Sequence, residues 1–185
     1  MTTATQIPGY IAGTWDIDPV HSDVSFTVRH MMVSKVRGRF GSFSGEITTG
    51  EDITASTVTA TIDASSIDTN NEQRDGHIKS ADFFDVTNHP TWTFSSTGVR
   101  VDGDDIIVDG DLTIKGVTKN IPLTLEVNGF GPDAFGGTRV GFSGLAQINR
   151  SDFGVDIAMP LDGGGVVVSE KVQISLEIEG VLRTA

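Results

Sequence analysis

The sequence predicts an all-β chain folded as an eight-stranded antiparallel barrel, and three observations carry that prediction. Apolar and polar residues alternate along most of the chain. The gaps between the alternating runs are mostly short and carry Gly, Asp or Asn. One of the two longer connections holds a short helix-like stretch. Successive side chains of an extended strand point to opposite faces, so a period of two marks a strand with one buried face.

The strands follow in order. The first spans residues 14–30, with Val24, Phe26 and Val28 alternating with Ser25, Thr27 and Arg29, and Pro19 is placed to break it. The second, 36–48, sets Gly41, Phe43, Gly45 and Ile47 against Ser42, Ser44 and Glu46. The third, 53–63, carries Val58, Ala60 and Ile62 on one face. The fourth, 91–101, opens with Trp92 and Phe94 between threonines and Ser95. Leu112 and Ile114 mark the fifth, 106–115, and Leu123, Leu125 and Val127 the sixth, 119–128. Pro122 sits on the polar face of that strand, where a missing ladder bond matters least. The seventh, 137–149, places Val140, Phe142, Gly144, Ala146 and Ile148 on one face, and the eighth, 171–183, does the same with Val172, Ile174, Leu176 and Ile178.

Thr49-Gly50-Glu51-Asp52, Asp102-Gly103-Asp104-Asp105 and the Gly116 region read as tight turns, each with a residue suited to positive φ. Short turns imply that sequential strands are antiparallel neighbours. A flat sheet of such strands would leave its apolar face wet, whereas closure into a barrel buries that face and removes the edges. Two connections are longer. Residues 64–90 contain an Asn cap and helix formers over Asn70–Lys79, weakened by Gly76, which predicts a short helical insertion between the third and fourth strands. Residues 150–170 contain Phe153, Val155, Ile157 and Met159, then three glycines, Gly163 to Gly165, a pattern suited to a lid or binding loop. The organisation expected is a flexible N-terminal segment, 1–12, and one barrel domain, 13–185.

Composition narrows the function. With 37% hydrophobic and 21% charged residues in 185, the chain is neither disordered nor a bundle of membrane helices. A net charge of -12 repels phosphate backbones and anionic lipid headgroups, which disfavours nucleic acid and membrane-surface binding, and no stable membrane insertion is expected. The charge is uneven: Arg29, Lys35, Arg37 and Arg39 form either a solvated face or a docking point for an anionic headgroup. The absence of cysteine excludes disulfides, thiolate metal sites and cysteine nucleophiles. Met1 to Pro8 lacks the basic start and apolar run of a secretory signal, so a cytoplasmic location is expected.

Catalytic motifs are weak. His21-Ser22-Asp23 cannot act as a triad in an extended segment, because Ser22 points away from both neighbours. Gly129-Phe130-Gly131-Pro132-Asp133-Ala134 matches a dinucleotide fingerprint in spelling but leads into a strand, so it reads as a turn. His21, His30, His77 and His89 have neither helical nor strand spacing for a metal, and no metal or cofactor is expected. Arg74, Asp75 and His77 form either a structural pair securing their loop or a polar cluster at the barrel mouth.

An eight-stranded barrel can be filled by side chains or can hold one small ligand. The inward-facing Gly41, Gly45, Ala60, Gly110, Gly144 and Ala146 either open an apolar slot between bulky residues or mark bends that bulky neighbours fill. Pattern alone leaves both open.

Five blocks go further. Trp15 through His30 reads Trp-Asp-Ile-Asp-Pro-Val-His-Ser-Asp-Val-Ser-Phe-Thr-Val-Arg-His. Val36-Arg37-Gly38-Arg39-Phe40 follows with Phe43-Ser44-Gly45, then Ser66-Ile67-Asp68-Thr69 with the stretch from Arg74 to Asp85. Gly110 through Lys119 and Asn149-Arg150-Ser151-Asp152-Phe153-Gly154 complete the series. In that order they resemble the YceI-like, polyisoprenoid-binding family. The resemblance implies a lipocalin-like barrel that is not an enzyme. It would bind, store or transport a long-chain amphiphile such as a polyisoprenoid, an isoprenoid quinone precursor or a fatty-acid derivative. The pore lining expected is Phe26, Val28, Phe43, Ile62, Trp92, Phe94, Leu112, Leu125 and Phe142, with His30, Arg39, Arg74 and His77 near the polar head. Two alternatives stand beside this: a filled barrel serving stress-related protein interaction, and a lipocalin-type enzyme. A homodimer is compatible with either.

Overall fold

A computed structural model of the chain describes residues 7–30, 34–81, 83–155 and 168–184, without the side chains of His30 and Val168. Among the described residues eleven strands form one antiparallel sheet that closes on itself. The first predicted strand is two pieces, β1 (Gly13–Ile17) and β2 (Asp23–His30), separated around Pro19. The second is likewise split, into β3 (Ser34–Phe40) and β4 (Phe43–Thr49). β1 pairs with β4, and β2 with β3, so each broken strand still runs alongside the other. The third is β5 (Thr57–Asp63), and the short β6 (Ile67–Asp68), which follows it after a 3₁₀ turn within the connection predicted at 64–90, pairs with Arg39 and Phe40. Then come α1 (Glu72–Lys79), β7 (Thr91–Asp102), β8 (Asp105–Ile114), β9 (Val117–Pro132), β10 (Thr138–Asn149) and β11 (Val168–Leu182). β11 closes the barrel against β2 and β1 in turn. Counting each broken strand once, the barrel has the eight antiparallel staves that the alternation predicts.

The alternation becomes burial. In β8, Ile106, Val108, Leu112 and Ile114 are buried, and in β10 Val140, Phe142, Ala146 and Ile148 are buried. Pro122 is exposed opposite Asp109. The β7–β8 and β8–β9 hairpins have two-residue loops: Gly103 takes φ 62°, and Lys115 and Gly116 take φ 53° and 76°. Positive φ at both loop positions suits the twist of a hairpin. Asn71 caps α1 by accepting from the Arg74 N–H at 2.9 Å.

Two local expectations need correction. Residues 53–55 form a 3₁₀ turn, and the strand begins at Thr57. The Asp52 carboxylate accepts from the Thr54 N–H at 2.9 Å and holds that turn, while Ile53 buries. Gly50 is absent from the positive-φ positions. Second, Gly129 to Pro132 is strand, and the turn lies at 133–137. There Asp133 Oδ1 accepts from the N–H groups of Phe135 and Gly137, both at 2.8 Å. An Asp side chain that bonds its own backbone two residues on builds a turn, and Gly136 at φ 84° completes it.

One end of the barrel is plugged. Trp15 is fully buried and packs with Ile47, Val140 and Phe142. Its Nε1–H donates to Thr49 Oγ1 at 2.9 Å. Phe130 meets its ring edge-on at 5.5 Å, and Tyr10 meets Phe130 at 5.4 Å. Ile7 and Tyr10, in the segment set apart from the barrel on sequence grounds, thus lie against it, and the Tyr10 hydroxyl donates to the Gly50 carbonyl at 2.6 Å. The other end carries α1 and the start of β11.

Candidate functional site: an apolar cavity within the barrel

A cavity of about 350 Å³ occupies the barrel interior. It runs from Ile17, Ile47, Phe142 and Ile178 above the plug to Arg74, His77, Ile78, Phe83 and Phe84 around α1. All nine residues expected to face the pore line it: Phe26, Val28, Phe43, Ile62, Trp92, Phe94, Leu112, Leu125 and Phe142. Strand parity places them there, since each shares a face with buried neighbours.

Glycines shape the space. A β-carbon on Gly110 would stand 2.3 Å from Cζ of Phe94, and one on Gly38 would stand 2.3 Å from Cζ of Phe26. Leu125 lies over Gly144, and Ile17 over Gly45, at 2.7 and 2.5 Å from the corresponding points. The two readings of the small residues therefore combine. Bulky neighbours do cover them, but by lying flat against the wall those rings keep the centre open. Near the α1 end, Phe40 meets Trp92 at 4.8 Å, Phe84 meets Trp92 at 4.8 Å, and Phe26 meets Phe40 at 5.9 Å. The Trp92 Nε1–H is buried with no hydrogen-bond partner among the described residues.

Among the described residues the basic members of the lining are Arg29, Arg74, His77 and Arg150, and no carboxylate is among them. Arg74 is half-buried and anchored to Thr69, its Nε 2.9 Å from the hydroxyl and its Nη2 2.6 Å from the carbonyl. Asp75 accepts from the N–H and the hydroxyl of the same buried Thr69. Arg74 and Asp75 thus secure their loop through Thr69, while Arg74 also reaches the cavity. His77 meets the Phe83 ring edge-on at 4.9 Å. Arg39 stands apart: its side chain is 66% exposed, 4.0 Å from Asp68, and outside the cavity. The side chain of His30 lies outside the described residues.

Sequence reasoning did not assign Arg150 a place here. Its side chain is buried, with Nε 3.1 Å from the Ser169 carbonyl and Nη1 2.8 Å from the Val155 carbonyl. The Asn149–Gly154 block was conspicuous, but that its arginine turns inward depends on β11 docking beside it. Phe153 and Val155 are buried and line the cavity as well; Ile157, Met159 and Gly163 to Gly165 lie outside the described residues.

The remaining titratable clusters sit outside the barrel. Asp18, His21 and Glu179 place ligand atoms within 4.8 Å of one another. Arg139 already supplies the cation, with Nη1 2.7 Å from Asp18 and 3.0 Å from Glu179, and its Nε bonds Asp133 at 2.9 Å. Ser22 instead bonds the Glu179 backbone, 2.9 Å from its N–H, so His21 and Ser22 do not meet as a catalytic pair.

Three known proteins frame this geometry. A UPF0312 protein of Pseudomonas aeruginosa is 38% identical over 167 residues, covering 90% of this chain and 84% of that protein. The crystal structure of Burkholderia cenocepacia BcnA superposes with a TM-score of 0.76 at 26% identity, over 88% of this chain and 98% of that one. A polyisoprenoid binding domain from Saccharophagus degradans, implicated in plant cell wall breakdown, shares the fold with a TM-score of 0.69 at 19% identity, over 94% and 100% of the two chains. The model of the YceI-like domain matches residues 15–180, nearly the whole barrel, and the chain belongs to that family.

Proposed function

We propose that the barrel binds a long, flexible, apolar amphiphile, with its tail in the cavity and its polar end beside Arg74, His77 and Arg150. The observation that carries this reading is the cavity itself: an apolar space of about 350 Å³ whose charged lining residues, among those described, are arginines. That volume is within the range of small-molecule sites. Apolar surface leaving water contributes about 25 cal/mol per Å², so a tail enclosed here binds with few directed contacts. A polyisoprenoid, an isoprenoid quinone precursor or a fatty-acid derivative fits such a lining, and a polyisoprenoid binding domain shares the fold. Binding and carriage, rather than catalysis, is the role these residues favour.

The test is native mass spectrometry of the freshly purified protein, followed by organic extraction. A discrete added mass that extracts as a long-chain lipid supports the reading. A bare protein mass, with no uptake of polyprenols, isoprenoid quinones or fatty amides when offered, overturns it.

A further inference from the structure

The β2–β3 hairpin is a basic surface on an acidic protein. Arg29, Lys35, Arg37 and Arg39 hold four of the chain's 13 Lys and Arg residues, and no Asp or Glu occurs between Asp23 and Glu46. Register sets Arg29 opposite Lys35, Thr27 opposite Arg37, and Ser25 opposite Arg39, so all four cations share the outer face. All four are exposed. On the adjoining strand, Lys171 is exposed on the same face. Among the described residues, Arg39 alone of the four hairpin cations has a carboxylate within 4.0 Å, that of Asp68.

The net charge of -12 repels anionic surfaces at long range. Close in, screening changes the balance. At physiological salt the Debye length is about 8 Å. Asp23 and Glu177 are paired at the far end of β2, and Glu170, on β11 beside the Arg29 end, is engaged by the Ser151 N–H at 2.9 Å. Asp23 is six positions from Arg29, roughly 20 Å along a strand. A surface touching the Arg29, Lys35 and Arg37 end of the hairpin therefore meets cations that lie beyond the screened reach of Asp23, while Asp68 faces only Arg39 and Glu170 is engaged by Ser151.

Location identifies the partner. The inner face of the same hairpin contributes Val28 and Val36 to the cavity, and Arg29 stands at its rim. Among the described residues the outer face otherwise carries Ser25, Thr27 and Gln173, with no aromatic ring on which a base could stack. We infer that this face docks transiently on the surface of an anionic lipid bilayer, bringing the cavity mouth to the source of its ligand. The choice of a bilayer as partner rests on the lipid-binding reading of the cavity.

The experiment is co-sedimentation of the full chain with vesicles of phosphatidylcholine, or of phosphatidylcholine and phosphatidylglycerol in equal parts. Bound lipid is extracted from a separate vesicle-free sample. The wild type is expected to pellet only with the anionic vesicles, and less as salt rises. Each basic residue strengthens such binding roughly five-fold, so Lys35→Gln with Arg37→Gln should weaken it about 25-fold. A control of equal charge, Arg100→Gln with Lys119→Gln, should bind as the wild type does. Equal weakening in both variants overturns the hairpin assignment. A wild type that carries extractable lipid yet ignores anionic vesicles overturns the docking and leaves the cavity reading intact. Vesicle binding by a chain that never takes up lipid overturns the cavity reading instead. Binding of duplex DNA through Lys35 and Arg37, without vesicle binding, overturns the choice of a bilayer.

Discussion

The ring of Phe94 lies across Gly110, so close that a β-carbon there would fall 2.3 Å from its Cζ. The fit lets an aromatic residue line the cavity without crossing it. Gly110 has no positive φ, so the backbone tolerates a side chain and only the ring must yield. Its one open direction is the cavity. Gly110→Ala is therefore expected to push Phe94 inward, at a stability cost of about 1–3 kcal/mol for overpacking. The bound-lipid fraction in native mass spectrometry should fall while far-ultraviolet circular dichroism stays that of a β-barrel. Unchanged lipid content would show that Phe94 has room to move elsewhere.

Charge placed on the two faces of the barrel separates lining from surface. Phe94→Glu puts a carboxylate in an apolar cavity, where an amphiphile tail would have to meet it or displace its water. Glu177 is on the outer face, where its carboxylate accepts from Ser143 Oγ at 2.8 Å. Lipid occupancy should drop strongly in Phe94→Glu and stay at the wild-type level in Glu177→Gln. Phe94→Leu, which keeps the site apolar, should retain most of the occupancy. Equal occupancy in Phe94→Glu and Glu177→Gln would remove the cavity as the binding site.

What the sequence revealed, and what it hid, follows from the range of the interactions. Strand faces were legible because burial repeats every second residue, and the nine lining positions fall out of that parity. Parity also explains Arg39: Gly38 and Phe40 are buried, so the residue between them points outward. The turn at Ile53–Ala55 was misread because the Asp52 cap, a local bond, outweighed the pull of an apolar residue toward the strand. Phe83 and Phe84 lie in a connection with no period, and nothing local directs them to the cavity. Arg150 was invisible for the opposite reason: the carbonyls that hold it come from Val155 and Ser169, and Ser169 is brought there only by the closing strand.

The plug offers a change that should alter stability alone. Thr49 Oγ1 accepts from Trp15 Nε1 at 2.9 Å and from the Gly13 N–H at 3.0 Å, and donates to the Ile11 carbonyl at 2.7 Å. Thr49→Val keeps the volume and leaves the buried indole N–H without an acceptor. Stranding such a donor costs about 1–3 kcal/mol. Urea unfolding should show a lower midpoint with an unchanged slope. Lipid content should not change, because none of these residues lines the cavity. A loss of lipid in this variant would mean that the plug, too, shapes the ligand site.

Acid should loosen the joint between β1 and β2. Arg139 is the main cause holding the Asp18 carboxyl far below its ordinary range, followed by His21, and the Val20 N–H adds a third hydrogen bond. Asp133 is lowered as well, first by the N–H groups of Gly137 and Phe135 and then by Arg139. A carboxyl whose pKa is depressed in the folded state stabilises that state above its unfolded pKa, about 3.9 for Asp. The stabilisation is lost as pH falls below that value toward the folded one, because the unfolded chain then binds protons that the native Asp18 refuses. Thermal stability should be flat from neutrality to about pH 5 and decline below about pH 4. Asp18→Asn should lower the melting temperature at neutral pH by on the order of 5 °C, the cost of losing hydrogen bonds to a charged group. The gap between variant and wild type should then close as the wild-type carboxyl is protonated. A gap that persists undiminished into acid would assign the effect of Asp18→Asn to packing rather than to the charge shared with Arg139.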